Sequence, residues 1–149
     1  MQEIKNKIAV LKRRLLVKEV ISLLRLDEYS EEIKCIENDE VTSNNLRKLY
    51  KYSEQHKVKE FDLKQFKLNN ALILIDDISW REKEITFFIF YKERIQMILP
   101  LNVFLKQKNH IVSTLFNMDR NIVFCSENLK HGFCFLYDEY SVGFYKWNC

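Results

Sequence analysis

Two adjacent carboxylates, Asp76-Asp77, follow the apolar run Ala71–Ile75, and Glu82 and Glu84 come soon after, around Trp80. Carboxylates gathered at a strand end can hold a divalent ion that activates water, the chemistry a nuclease needs. The lysine that nuclease folds place two residues after the second acid is missing, because position 84 is Glu. A polar hairpin turn accounts for Asp76–Glu84 equally well, so no metal ligand and no catalytic residue is assigned.

The other reactive side chains are no better arranged. Cys35, Cys125, Cys134 and Cys149 form no CxxC pair, and a zinc set of Cys125, His131, Cys134 and Cys149 has the spacing of no standard knuckle. In a reducing compartment these read as buried thiols. His56, His110 and His131 sit in polar contexts, and nothing in the sequence couples them to a Ser or Cys nucleophile. Two isolated glycines, Gly132 and Gly143, cannot build a phosphate-cradling loop. No cofactor and no enzymatic activity is expected.

Charge is distributed unevenly. Residues 1–26 carry seven basic and two acidic side chains. The next stretch carries Asp27, Glu28, Glu31, Glu32, Glu37, Asp39 and Glu40 against Lys34 alone. Residues 41–67 are again basic, and the rest of the chain balances. An acidic segment between basic ones either neutralises itself within the fold or presents a charged face to a partner. Lys12, Arg13, Arg14 and Lys18 could contact phosphate, but a pI of about 8.6 falls short of a strongly basic nucleic-acid binder.

The elements that must position these residues fall into two parts of one 149-residue domain, 1–58 helical and 59–149 mainly β. Residues 2–25 form a helix with two apolar stripes on nearly opposite sides, Ile4, Ile8, Leu11 and Leu15 on one and Val10, Val17, Ile21 and Leu24 on the other. Leu15–Leu24 should be central to the core, and a homodimer through the second stripe is the alternative. A short helix is expected over 28–37 with Tyr29, Ile33 and Ile36 inward. Another is expected from a Thr42 or Ser43 cap to about His56, lying on the surface.

From Phe61 the period shortens. Phe61 and Leu63 alternate with charge, Ala71–Ile75 reads as a strand, and Ile85–Tyr91 forms a hairpin with Ile95–Leu99 across Lys92-Glu93-Arg94. Apolar residues recurring from Leu101 to Phe116 predict a helix over 101–117 that opens behind Pro100. Three strands follow: Asn121–Ser126, Gly132–Tyr137 and Tyr140–Trp147. Seventeen of the 20 aromatic residues lie after residue 60, and the last two strands carry them on both faces. Either helices cover both sides of the sheet, or one side is a sticky surface for a protein partner. The fold class is α+β, with N-terminal helices on a mainly antiparallel sheet and one further helix in the β part.

No basic-plus-apolar leader opens the chain and no stretch approaches 18 uninterrupted apolar residues, so a cytoplasmic protein without membrane contact is expected. In length and composition the chain resembles the small immunity proteins that bacteria make beside secreted competition toxins, such as those of contact-dependent growth inhibition systems. That resemblance implies a protein that binds a secreted toxin domain and occludes its active site. Asp27, Glu28, Glu31, Glu32, Glu37, Asp39 and Glu40 would then face a basic toxin surface, with Tyr140, Tyr145 and Trp147 as aromatic anchors. The competing readings are a metal-dependent nuclease and a nucleic-acid-binding protein.

Overall fold

The computed structural model describes the chain except residues 37–38, 77–81, 91, 119–120, 127 and 149, and except the side chains of Asp39, Tyr52, Phe90 and Asn148. Among the described residues it is α+β, as the composition shift predicts. Helix α1 (Gln2–Leu23) is followed by strand β1 (Lys34–Cys35), helix α2 (Asp39–Ser53), strand β2 (Lys57–Asp62) and helix α3 (Leu68–Asp76). The hairpin β3 (Glu84–Phe90) and β4 (Arg94–Pro100) leads into helix α4 (Leu101–Met118). The chain closes with β5 (Ile122–Cys125), β6 (His131–Tyr137) and β7 (Ser141–Asn148).

The seven strands form one sheet in the order β1-β4-β3-β5-β6-β7-β2, and every pairing is antiparallel. Alternation along each strand sends side chains to two separate cores. Ile85, Phe87 and Ile89 of β3, Phe124 of β5, Phe133 and Phe135 of β6 and Phe144 of β7 meet α1, α3 and α4 on one face. Phe124 sits at the centre, its ring 5.5 Å from Phe87, 5.1 Å from Phe104 and 5.2 Å from Phe133 between centroids. Phe88, Val123, Cys125, Cys134 and Trp147 meet Leu46 and Leu49 of α2 on the other face. Helices therefore cover both faces, which accounts for the aromatics on both.

The edges are blunted. β1 has two residues, and β2 carries Lys57, Lys59, Glu60 and Asp62 with a register irregularity between Lys57 and Lys59. Short or charged edges resist pairing with other chains.

Four sequence expectations need correction. The helix expected over 28–37 does not form over its described residues 28–36: Asp27–Tyr29 is a single 3-10 turn, and Lys34-Cys35 pairs with Ile98 and Met97 at the sheet edge. Three inward residues were too few to outweigh the hydrogen bonds of an open strand. Ala71–Ile75 is helix α3, not a strand. Ala71 and Ile75, four apart, are buried while Ile73 is 62% exposed, and the Asn70 side chain accepts the Lys67 N–H at 2.7 Å to start the helix. Thr42 does not cap α2, which begins at Asp39, and lies fully buried inside it. Finally, α1 enters the core through Leu16, Val20, Ile21 and the cap residue Leu24, with Val17 packed half-buried against it. Ile4, Ile8, Leu11 and Leu15 are exposed, and every residue from Met1 to Lys12 faces solvent.

The expected hairpin runs in register from Glu84↔Pro100 to Phe90↔Arg94. Helix 101–117 and the three C-terminal strands also form as expected.

Candidate protein-binding surfaces

The acidic loop is built by the way α1 ends. Arg25 adopts φ 56°, and the Arg25 and Leu26 N–H groups donate to Ser22 and Ile21 carbonyls, both at 3.0 Å. This is a Schellman cap with a non-glycine residue in the left-handed position. Leu26 is completely buried beneath it and pins the start of the loop. The Ser22 hydroxyl donates to Asp27 Oδ1 at 2.7 Å, and successive turns place the Tyr29, Ser30 and Glu32 N–H groups on the Leu26, Asp27 and Tyr29 carbonyls.

Tyr29 and Ile33 pack against the core from this frame, so Asp27, Glu28, Glu31 and Glu32 turn outward into solvent. Among the described residues none of these four carboxylates forms an ion pair. Lys34, the one base of the segment, instead lies 3.5 Å from Glu84. Tyr29 responds to this setting: its hydroxyl is held above the usual tyrosine pKa, first by the hydrogen bond with Glu28, then by desolvation and by the charges of Glu28 and Glu32, against an opposing bond with Gln107.

The rest of the acidic set lies elsewhere. Glu37 is outside the described residues, as is the Asp39 side chain, while Glu40 is exposed in the first turn of α2, where a helix N-terminus favours negative charge.

The aromatic candidates divide. Tyr140 stands at the β6–β7 turn and is 77% exposed, its backbone carbonyl accepting the Leu63 N–H. Tyr145 is half-buried, with Lys57 Nζ 5.7 Å from its ring centre. That neighbour, Tyr145, is also the largest cause of a raised Lys57 pKa. Trp147 is not an exposed anchor: it is 2% exposed and its Nε1–H donates to the Leu129 carbonyl at 3.0 Å. Gly132, directly opposite on β6, leaves room for the indole, since a Cβ there would fall 2.4 Å from it. Leu129 takes φ 65° to put its carbonyl on the indole and its side chain into the same cluster.

Acids and aromatics are not brought together. The acidic loop enters the sheet at β1, one edge, whereas Tyr140 precedes and Tyr145 lies in β7, next to the opposite edge. At about 4.8 Å per strand, these positions are on the order of 24 Å apart.

Each described carboxylate of the Asp76–Glu84 region already faces a basic side chain. Asp76 ends helix α3 rather than a strand and pairs with Lys108; Glu82 lies 3.7 Å from His131 and Glu84 3.5 Å from Lys34. Asp77 and Trp80 are outside the described residues. No group of three or more His, Cys, Asp or Glu side chains is gathered as a metal set among the described residues. Cys125 and Cys134 are free thiols under α2; burial pushes both pKa values up, that of Cys134 to about 12 despite a Ser53 hydrogen bond. Cys149 is outside the described residues. His110 has a structural role, its Nε2–H donating at 3.0 Å to the Leu23 carbonyl at the end of α1.

The basic cluster also splits. Arg13 turns inward and bonds Glu93 Oε2 at 3.1 Å, the Ile36 carbonyl at 3.2 Å and the Arg94 carbonyl at 3.3 Å, tying α1 to the β3–β4 turn. Lys12, Arg14 and Lys18 remain in solvent. Beside them a groove of about 270 Å³, lined by Val10, Val17, Cys35 and Ile36, runs between α1 and β1. Sequence reasoning missed the exposed stripe Ile4–Leu15 as a surface; the signal that could have found it is the run of cations bordering it.

Fold and surface together define an α+β protein with helices on both faces of a seven-stranded antiparallel sheet, an outward acidic loop and a projecting basic helix. No helix among the described residues is long and apolar enough to cross a membrane. No family model matches the chain, and no curated protein or solved structure is significantly similar to it.

Proposed function

We propose that this chain acts by binding another protein, as an immunity protein that covers the active site of a cognate bacterial toxin in the cytoplasm. The observation that carries the reading is the loop Asp27–Glu32, whose four carboxylates point outward and are matched by no cation among the described residues. Self-neutralisation, the competing account of this charge, would spend those carboxylates on the basic segments at either side.

The loop's shape favours the same conclusion. Its backbone is fixed by the Schellman cap and its anchors Leu26 and Tyr29 are held by the core, so little ordering entropy would be lost on binding. Clustered negative charge speeds encounter with a basic partner surface and fixes its orientation. Tyr140, exposed near the other sheet edge, would serve a partner large enough to span the domain.

The test is the association rate with the protein that co-purifies with the tagged chain. Replacing Glu31→Lys together with Glu32→Lys should slow association roughly tenfold or more at low ionic strength. The deficit should shrink as salt screens the charges. An unchanged rate and affinity would overturn the acidic loop as the binding site.

A further inference from the structure

Opposite its core-facing side, the N-terminal half of α1 carries a second surface of reversed chemistry. Met1, Ile4, Ile8, Leu11 and Leu15 follow one another at intervals of three, four, three and four residues, the a/d repeat of a coiled-coil seam. The seam points away from the domain, because Arg13, half a helical turn round from it, holds Glu93, Ile36 and Arg94. Its members are 47–96% exposed, Ile8 least and Met1 most. At 1.5 Å per residue the seam extends about 20 Å beyond the packed part of the helix.

The positions bordering that seam are all basic. Lys5 and Lys12 flank it on one side, Lys7 and Arg14 on the other, with Lys18 continuing the line; each is exposed, and none forms an ion pair among the described residues. Glu3 is the single acid in the first 18 residues and does not flank the seam.

We propose that this seam docks a helix of another protein whose apolar heptad stripe is bordered by Asp and Glu. Charge selects that occupant. A second copy of this helix would set Lys and Arg against Lys and Arg, in parallel or antiparallel register, where flanking charges decide partner choice. A membrane surface would call for a wide apolar arc with aromatic residues, and the seam is two positions wide and purely aliphatic. An acidic-flanked helix matches both stripe and border. This site is distinct from the acidic loop, and failure of either leaves the other standing.

The experiment uses the full chain and two synthetic three-heptad peptides with Ile and Leu at the seam positions, one bearing Glu at every flanking position and the other Lys. Fluorescence anisotropy should show the Glu peptide binding about tenfold or more tighter than the Lys peptide, as four favourable pairs in place of repulsive ones imply. Ile8→Asn with Leu15→Asn should abolish that binding and leave the melting temperature unchanged, both residues being solvent-exposed. Lys5→Glu with Lys12→Glu should move preference toward the Lys peptide. Equal binding of the two peptides, binding of neither, or binding that survives the seam substitutions would overturn the proposal. So would a dimer in sedimentation, or attachment to phosphatidylserine-containing vesicles, that the seam substitutions remove.

Discussion

The two halves of α1 are one continuous helix with opposite fates. From Leu16 onward Leu16, Val17, Val20, Ile21 and Leu24 pack into a closed aromatic core, and the helix end is capped by the Schellman bonds and by His110. Before Leu16 the helix carries just as regular an apolar stripe, yet every residue from Met1 to Lys12 is exposed. Periodicity records that a face is apolar; it does not record which molecule covers it. The join between the halves is Arg13, whose three bonds hold the helix against the hairpin turn.

The comparison breaks first at the core. Leu24→Ala should lower unfolding free energy by roughly 2–5 kcal/mol, because a filled site becomes a cavity. Leu11→Ala, on the outward stripe, should change it by no more than about 0.5 kcal/mol. Urea denaturation of the two variants measures the contrast, and similar losses would mean that the outer half is also packed.

A smaller effect tests the join. Arg13→Ala should cost on the order of 1 kcal/mol, the lower end for charged hydrogen bonds since Glu93 is largely solvated. Arg14→Ala, one residue along and in solvent, should cost nothing measurable in the same denaturation series. Amide exchange should sharpen this result: residues 2–12 ought to exchange faster than 16–23 in the native protein, and faster still after Arg13→Ala.

The smallest effect lies where α1 gives way to the acidic loop. Arg25→Gly should raise stability by up to about 1 kcal/mol, because glycine takes the left-handed conformation without a Cβ clash. A loss of stability would show that the Arg25 side chain contributes more than its backbone strain removes.

Much of the fold was legible because its signals were long or repeated. The β3–β4 hairpin, α4 and the three C-terminal strands each offered seven or more consecutive residues of one period, or regularly spaced turns. Short apolar runs were not. Ala71–Ile75 is apolar at every position, so it carries no period, and only the Asn70 bond to the Lys67 N–H distinguishes helix from strand. Residues 28–37 were misread because three apolar residues at helical spacing also fit a turn that delivers Lys34-Cys35 to β4.

The candidate surfaces were legible in composition but not in position. The acids Asp27, Glu28, Glu31 and Glu32 were visible as a cluster, and their exposure follows from the burial of Leu26 and Tyr29 between and before them. Trp147 was misplaced because strand alternation around Gly143 and Phe144 gives its face but not what covers it; Leu46 and Leu49 of α2, far earlier in the chain, do. For the same reason, the stripe Val10, Val17, Ile21 and Leu24, for which a homodimer contact was the alternative, packs on this domain's own core from Val17 onward, while Val10 stays exposed.

The measurement that tests the central claim most directly is affinity capture of the tagged full chain from its host's lysate, with and without nuclease treatment, beside the Glu31→Lys, Glu32→Lys variant. A protein-binding role predicts one protein recovered in stoichiometric yield with the native chain at low ionic strength, unaffected by nuclease and recovered in lower yield with the variant. Recovery of nucleic acid, or the same proteins in equal yield on both chains, would contradict it.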